Sequence, residues 1–184
     1  MPIKNTKESY GAITKLFHWV IGLTLLFNLG LGKYMHQLPN TPDKFQLYAL
    51  HKSLGITILI LVVLRVIWTL ANPKPRMLTE NMKGWEVKLA KGVHYALYAL
   101  MIFVPITGWL MNSASGFPTP LFNIMTVPNL IAPDKSLQEV FGQIHEILAM
   151  AFIAIFLLHL AGALKHHFLV KDRTLVRMLP FNKK

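Results

Sequence analysis

His145 and His159 stand fourteen residues apart in one apolar stretch, and at 100° per residue that spacing returns both side chains to one face of a helix. At about 1.5 Å per residue they lie roughly 21 Å apart, one near each surface of a hydrocarbon layer about 30 Å thick. His18 and His51 occupy two other apolar stretches and fall at matching depths. Imidazole is a ligand for transition metals, and four imidazoles in two layers offer two bis-histidine sites. The chemistry this pattern suits is a pair of haems stacked across a membrane, each iron held between two histidines.

The depths leave one choice open. His94 sits near the same surface as His18, so either could meet His159, whereas His51 meets His145. A porphyrin lying along a helix needs a small residue about one turn from its ligand. That position holds Gly22 after His18, Gly55 after His51, Ala149 after His145 and Ala163 after His159, but Tyr98 after His94. We therefore expect the pairs His18–His159 and His51–His145, with His94 beside the inner haem or a substrate. Small residues also mediate ordinary helix packing in membranes, so depth and small neighbours together select the pairs. The nine methionines show no matched pairing and read as packing.

Positioning such histidines requires membrane-spanning helices, and the composition supplies them. Of 184 residues, 53% are hydrophobic and only 15% charged, with a mean hydropathy of +0.43, which is too apolar for an ordinary soluble domain. Lys15 and Lys33 enclose seventeen uncharged residues, Lys52 and Lys74 twenty-one with Arg65 as the only charge, and Glu146 and Lys165 eighteen. The stretch after Lys91 is uncharged too, although only about 93–112 reads as helix before Gly and Pro take over in SASGFPTP. The expectation is an all-α integral membrane four-helix bundle of one domain, residues 1–184, with two haems between the helices and spans of about 13–32, 50–70, 93–112 and 143–164. No cleavage site clearly follows a short apolar region, so the first span is expected to be retained. Thr41-Pro42-Asp43 reads as the start of the second helix, and Ser136-Leu-Gln-Glu139 as a capping box for the fourth. Pro105 falls inside the third span and is expected to kink it.

The chain has no cysteine, which excludes disulfides, cysteine-ligated iron–sulfur clusters and covalent C-x-x-C-H haem attachment, so any haem is b-type. The eight carboxylates lie at span ends or in loops and form no dyad or di-iron set within the membrane. The net charge of +11 is a topology signal. Fourteen Lys and Arg lie in the N-terminal segment, the middle loop and the C-terminal tail, Lys183 and Lys184 among them, against Lys33, Lys44 and Lys135 in the two other loops. That asymmetry places both termini in the cytoplasm, with the basic segments against anionic lipid. Dispersed over three segments without a nucleic-acid motif, the charge excludes DNA or RNA as a partner. His36, in a polar loop, is expected to be solvated, and His166 and His167 to lie at the cytoplasmic headgroups.

Two cations are singled out. Arg65 lies fourteen residues after His51 and so shares its helix face at cytoplasmic depth, where it either meets the propionates of an inner haem or snorkels to lipid phosphates. Lys52 and Lys33 make the outer mouth positive.

Tyr10-Gly11, Leu16-Phe17-His18-Trp19, His51-Lys52-Ser53-Leu54-Gly55, Pro105-Ile-Thr-Gly108-Trp109, His145-Glu146 and the closing His159, His166-His167 and KDRTLVRMLP together resemble the bacterial cytochrome b561 family of four-helix dihaem membrane proteins. The resemblance implies two haems b per chain, held by His18 with His159 and by His51 with His145. It also implies an inner-membrane electron carrier with ubiquinone as a partner. Some members are superoxide oxidases, which makes superoxide a candidate donor on the outer side and His94, Lys52 and Arg65 candidate working residues. Similar b-type subunits anchor dehydrogenases or hydrogenases, so an electron-transfer subunit docked to a partner oxidoreductase is the alternative. A histidine-based metal transporter without haem is a further rival, and it predicts a colourless protein.

Overall fold

The computed structural model describes residues 2–80 and 82–180, which leaves Lys183 and Lys184 outside the described residues. Among the described residues, four helices are long and apolar enough to cross a membrane. They are α1 (Ala12–Gln37), α2 (Pro42–Leu70), α3 (Gly84–Ala114) and α4 (Lys135–Leu164). Each contains its expected span and runs beyond it. A 30-residue helix such as α4 reaches about 45 Å, against a hydrocarbon layer of about 30 Å. Gaps between charges mark only the hydrocarbon part, and the helices continue into the headgroups. His36 accordingly lies in the last turn of α1 rather than in a loop, and it is exposed.

Large apolar side chains such as Leu23, Phe27, Leu64, Ile67, Phe103 and Leu157 face outward, as expected where the surrounding solvent is lipid. The bundle is a membrane four-helix bundle in which α1 packs on α2, α2 on α3, and α4 chiefly on α3. Its centre is a cluster of Ile21 and Leu25 from α1, Ile58 and Val62 from α2, Met101 from α3 and Phe152 from α4. The numbering explains where this cluster sits. Leu25, Ile58, Met101 and Phe152 each follow a histidine by seven residues, and Phe152 also precedes His159 by seven. Seven residues are nearly two turns, so each helix carries on one face a histidine and, about 10 Å along, a core residue. The apolar core thus forms a layer between two histidine layers.

The helix ends bear out one sequence expectation and correct another. Thr41 caps α2 and Pro42 opens it, as expected. The cap of α4, however, is Asp134, whose Oδ1 accepts from Leu137 N–H at 2.9 Å, so Ser136 lies inside the helix. α3 continues as helix through Pro105.

The two ends of the bundle differ. At one, the α3–α4 connection folds into a hairpin of β1 (Thr119–Leu121) and β2 (Met125–Val127), antiparallel with Pro120 opposite Thr126. Phe122 and Asn123 turn it in the left-handed region, closed by Ile124 N–H on Leu121 C=O at 3.0 Å. At the other end three segments are knitted together. Asn5 donates to Pro73 C=O, Arg76 N–H to Lys7 C=O and Arg177 to Arg76 C=O, and the guanidinium of Arg177 lies 5.6 Å from the Tyr10 ring centre. We call these the hairpin end and the tail end.

Candidate haem-binding sites

At the hairpin end, His51 from α2 and His145 from α4 face each other with ring centres 6.3 Å apart and planes at 90°. At the tail end, His18 from α1 and His159 from α4 stand 6.3 Å apart with planes at 57°. Imidazoles that bind one metal ion from opposite sides have ring centres about 6.2–6.4 Å apart, because each nitrogen lies about 2.1 Å from the metal and roughly 1.1 Å from its own ring centre. Both pairs meet that requirement. His94 also reaches His159, edge to face at 5.1 Å, which is too close for the two rings to bind one metal from opposite sides. Its Nδ1 lies 2.6 Å from Ala90 C=O on its own helix.

The surroundings suit an uncharged, flat macrocycle. At Gly22 an added Cβ would meet nothing within 4 Å, and at Gly55 only Asn28 Nδ2 at 4.0 Å, so a strip beside His18 and another beside His51 stay clear of side chains. Ala149 and Ala163 are half-buried on α4. Two further glycines, which spacing alone did not single out as neighbours of the rings, do a different job. A Cβ on Gly32 would stand 3.1 Å from His51 Cε1, and one on Gly108 would stand 3.0 Å from His145 Cε1. A side chain at either position would crowd the ring, so glycine lets each ring lie close to the neighbouring backbone. The available signal for Gly108 was its place three residues after Pro105 in an apolar span.

Protonation at the hairpin end also fits ligation. His145 Nδ1 lies 2.9 Å from Val104 C=O, and a carbonyl can only accept, so the proton is on Nδ1 and Nε2 keeps its lone pair. Metal-bound histidines are held in this way by an acceptor on the other ring nitrogen.

The cations are placed as follows. Arg65 Nη2 stands 3.4 Å from His18 Nδ1 and its guanidinium 5.2 Å from the Tyr98 ring centre. It therefore turns into the bundle instead of out to lipid. At that length the hydrogen bond is marginal and the effect of Arg65 on the pair is mainly its fixed charge. Lys52 is half-buried, with Nζ 3.4 Å from Pro118 C=O and 6.0 Å from the Phe117 ring centre, so it also braces the hairpin. Lys33 is exposed. Beside Lys52, Ser53 is only 2% exposed. Its Oγ bonds Pro120 C=O at 2.9 Å and accepts from Phe122 N–H at 3.0 Å, which clamps the hairpin over the helix turn that follows His51.

At the tail end Lys15 is buried and donates to Leu179 C=O, while Trp19, 5.4 Å from the His18 ring, donates to Met178 C=O, each at 2.9 Å. The returning tail starts from a π-helical turn, Lys165–Val170, in which His166 Nδ1 meets Asp172 Oδ2 at 2.6 Å. Burial works to raise the Asp172 carboxyl, but hydrogen bonds from Thr174 and His166 outweigh it and hold the group below its ordinary range.

Comparison with known proteins shows the family. The family profile described as prokaryotic cytochrome b561 matches residues 9–181. Cytochrome b561 homolog 2 of Escherichia coli (strain K12) is 34% identical over 180 residues, covering 97% of this chain and 95% of the relative. A probable superoxide oxidase CybB of Yersinia pestis is 27% identical over 173 residues, covering 94% and 97%. Cytochrome b561 homolog 1 of Escherichia coli (strain K12) is 25% identical over 167 residues, covering 90% and 94%. On the profile match and the coverage of these relatives, the chain belongs to the prokaryotic cytochrome b561 family of bacterial membrane electron carriers, whose cofactor is haem b.

Proposed function

We propose that this chain holds two haems b and carries electrons from superoxide at the hairpin end to ubiquinone. The observation that carries the reading is the pair of histidine couples at one 6.3 Å spacing, fourteen residues apart along α4. His51 and His145 would hold one haem, and His18 and His159 the other. When bound, a bis-histidine haem supplies reversible one-electron chemistry with no open iron position for oxygen. By the excess of Lys and Arg in the N-terminal segment, the middle loop and the tail, the tail end would face the cytoplasm of a bacterium, with the protein in its inner membrane and the hairpin end outside.

Two superoxide anions, each oxidised to dioxygen, provide two electrons, and these with two protons convert the quinone to quinol. The residues of the chain have separate tasks in this scheme. Lys52 and Lys33 draw an anion towards the hairpin end. The Ser53 clamp and the hairpin limit water above His51. Arg65 places positive charge beside His18, which favours an electron arriving there. His94, exposed and bonded to its own backbone through Nδ1, offers its second nitrogen for holding or passing a proton to quinone.

The name of the Yersinia relative supports superoxide as donor. A second reading, an electron-transfer subunit between a partner dehydrogenase or hydrogenase and the quinone pool, is favoured by the economy of the loops, whose only regular structure between helices among the described residues is the small hairpin.

Superoxide should reduce the isolated protein and added ubiquinone should reoxidise it. Lys52→Gln should lower the superoxide rate several-fold and flatten its salt dependence, because ions screen the steering of an anion. A protein inert to superoxide that takes electrons rapidly from a co-purifying dehydrogenase would replace this reading with the second.

A further inference from the structure

Asn28 lies in α1 at the depth of the hairpin-end pair and is only 7% exposed, an unusual place for an amide in an apolar span. Its Nδ2 donates to the backbone carbonyl of His51 at 3.3 Å. Its Oδ1 is buried without a hydrogen-bond partner, and so is Nδ1 of His51. The two orphans are complementary. One is an acceptor lacking a donor. The other, in the tautomer that leaves Nε2 able to bind metal, is a donor lacking an acceptor.

The packing brings them to one interface. Gly32, one turn along α1 from Asn28, lies against the edge of the His51 ring, where a Cβ would stand 3.1 Å from Cε1 and 3.6 Å from Nδ1. Gly55 on α2 faces Asn28 in return. The Cε1–Nδ1 edge of His51 thus lies against the strip of α1 that carries Asn28.

We propose that Asn28 is the positioning residue of His51, its amide oxygen taking the hydrogen bond of the Nδ1–H through one buried water. Val104 C=O does the same directly for His145. The inference rests on the bis-histidine reading above. It gives Asn28 a specific effect: an acceptor on Nδ1 fixes the tautomer and ring orientation and raises ligand basicity, which favours the oxidised iron and lowers the potential of the hairpin-end haem.

The test uses the purified full chain and two variants, Asn28→Leu, which removes the acceptor at similar volume, and Asn28→Ser, which keeps an oxygen. Haem content, midpoint potentials and the low-spin ferric resonance spectrum are read together. The hairpin-end component is identified as the one lost in His51→Ala. Asn28→Leu should raise the potential of that component and change its g values while the tail-end component stays in place, and Asn28→Ser should remain close to the parent. With both haems bound, an unmoved hairpin-end component in Asn28→Leu, or equal shifts of both components, would overturn the proposal. If Asn28→Leu loses the hairpin-end haem, Asn28→Ser decides, parent-like behaviour supporting the role and an equal loss overturning it. An unmutated protein without low-spin bis-histidine spectra would sink the haem reading itself, and the role of Asn28 with it, before any variant is made.

Discussion

The hairpin-end and tail-end pairs share one ring spacing and differ in almost everything around it. Both stand at 6.3 Å, yet their planes cross at 90° in one and 57° in the other. Gly32 and Gly108 hold the hairpin-end rings tightly, a carbonyl fixes one proton, and a clamped hairpin lies above. The tail-end pair has Arg65 and a third histidine at its side, and the knitted termini below. Helix periodicity sets the separation of the two sites, because α4 contributes to both. Local surroundings then give each site its own character: an enclosed pair with the proton of one ring fixed at one end, and a pair flanked by charge and a third imidazole at the other.

The largest effect should come from removing one ligand. His51→Ala should halve the haem-to-protein ratio by removing the hairpin-end haem and sparing the other, and His18→Ala should do the reverse. Optical spectra of the two variants should be complementary. A folded protein that loses both haems, or neither, would break the comparison.

A smaller effect should follow from the charge at Arg65. Its guanidinium stands at the tail-end pair alone, so Arg65→Gln should lower the potential of that haem and leave the hairpin-end haem in place, as read by redox titration. Equal shifts at both would show that the charge acts on the bundle as a whole.

Smaller still, His94→Ala should retain both haems, since His94 stands too close to His159 for the two to bind one metal from opposite sides. Quinone reduction should slow while haem content holds. Loss of the tail-end haem in His94→Ala with its retention in His18→Ala would exchange the roles of the two residues.

The helices and the histidine layers were legible in the sequence because both follow from periodicity and charge spacing. The choice of His18 over His94 came from small residues one turn away; in the structure the ring centres of His18 and His159 stand 6.3 Å apart and those of His94 and His159 5.1 Å. Gly32 is a different case: its importance depends on how closely α1 approaches α2, a distance absent from sequence. The hairpin was missed since three-residue strands carry no periodic signal and this one is held by Ser53, distant in the chain. Ser136 had the cap pattern, but Asp134, two residues earlier, has the stronger acceptor. Lys52 was legible as charge and not as a brace for the hairpin, because its partner lies sixty-six residues away.

The central claim is that four histidines make two haem sites in one chain, and it is tested most directly by the haem-to-protein ratio of the purified protein together with its oxidised and reduced visible spectra. The account predicts two haems b per chain, both with low-spin bis-histidine bands. One haem per chain, or a colourless protein, would contradict it.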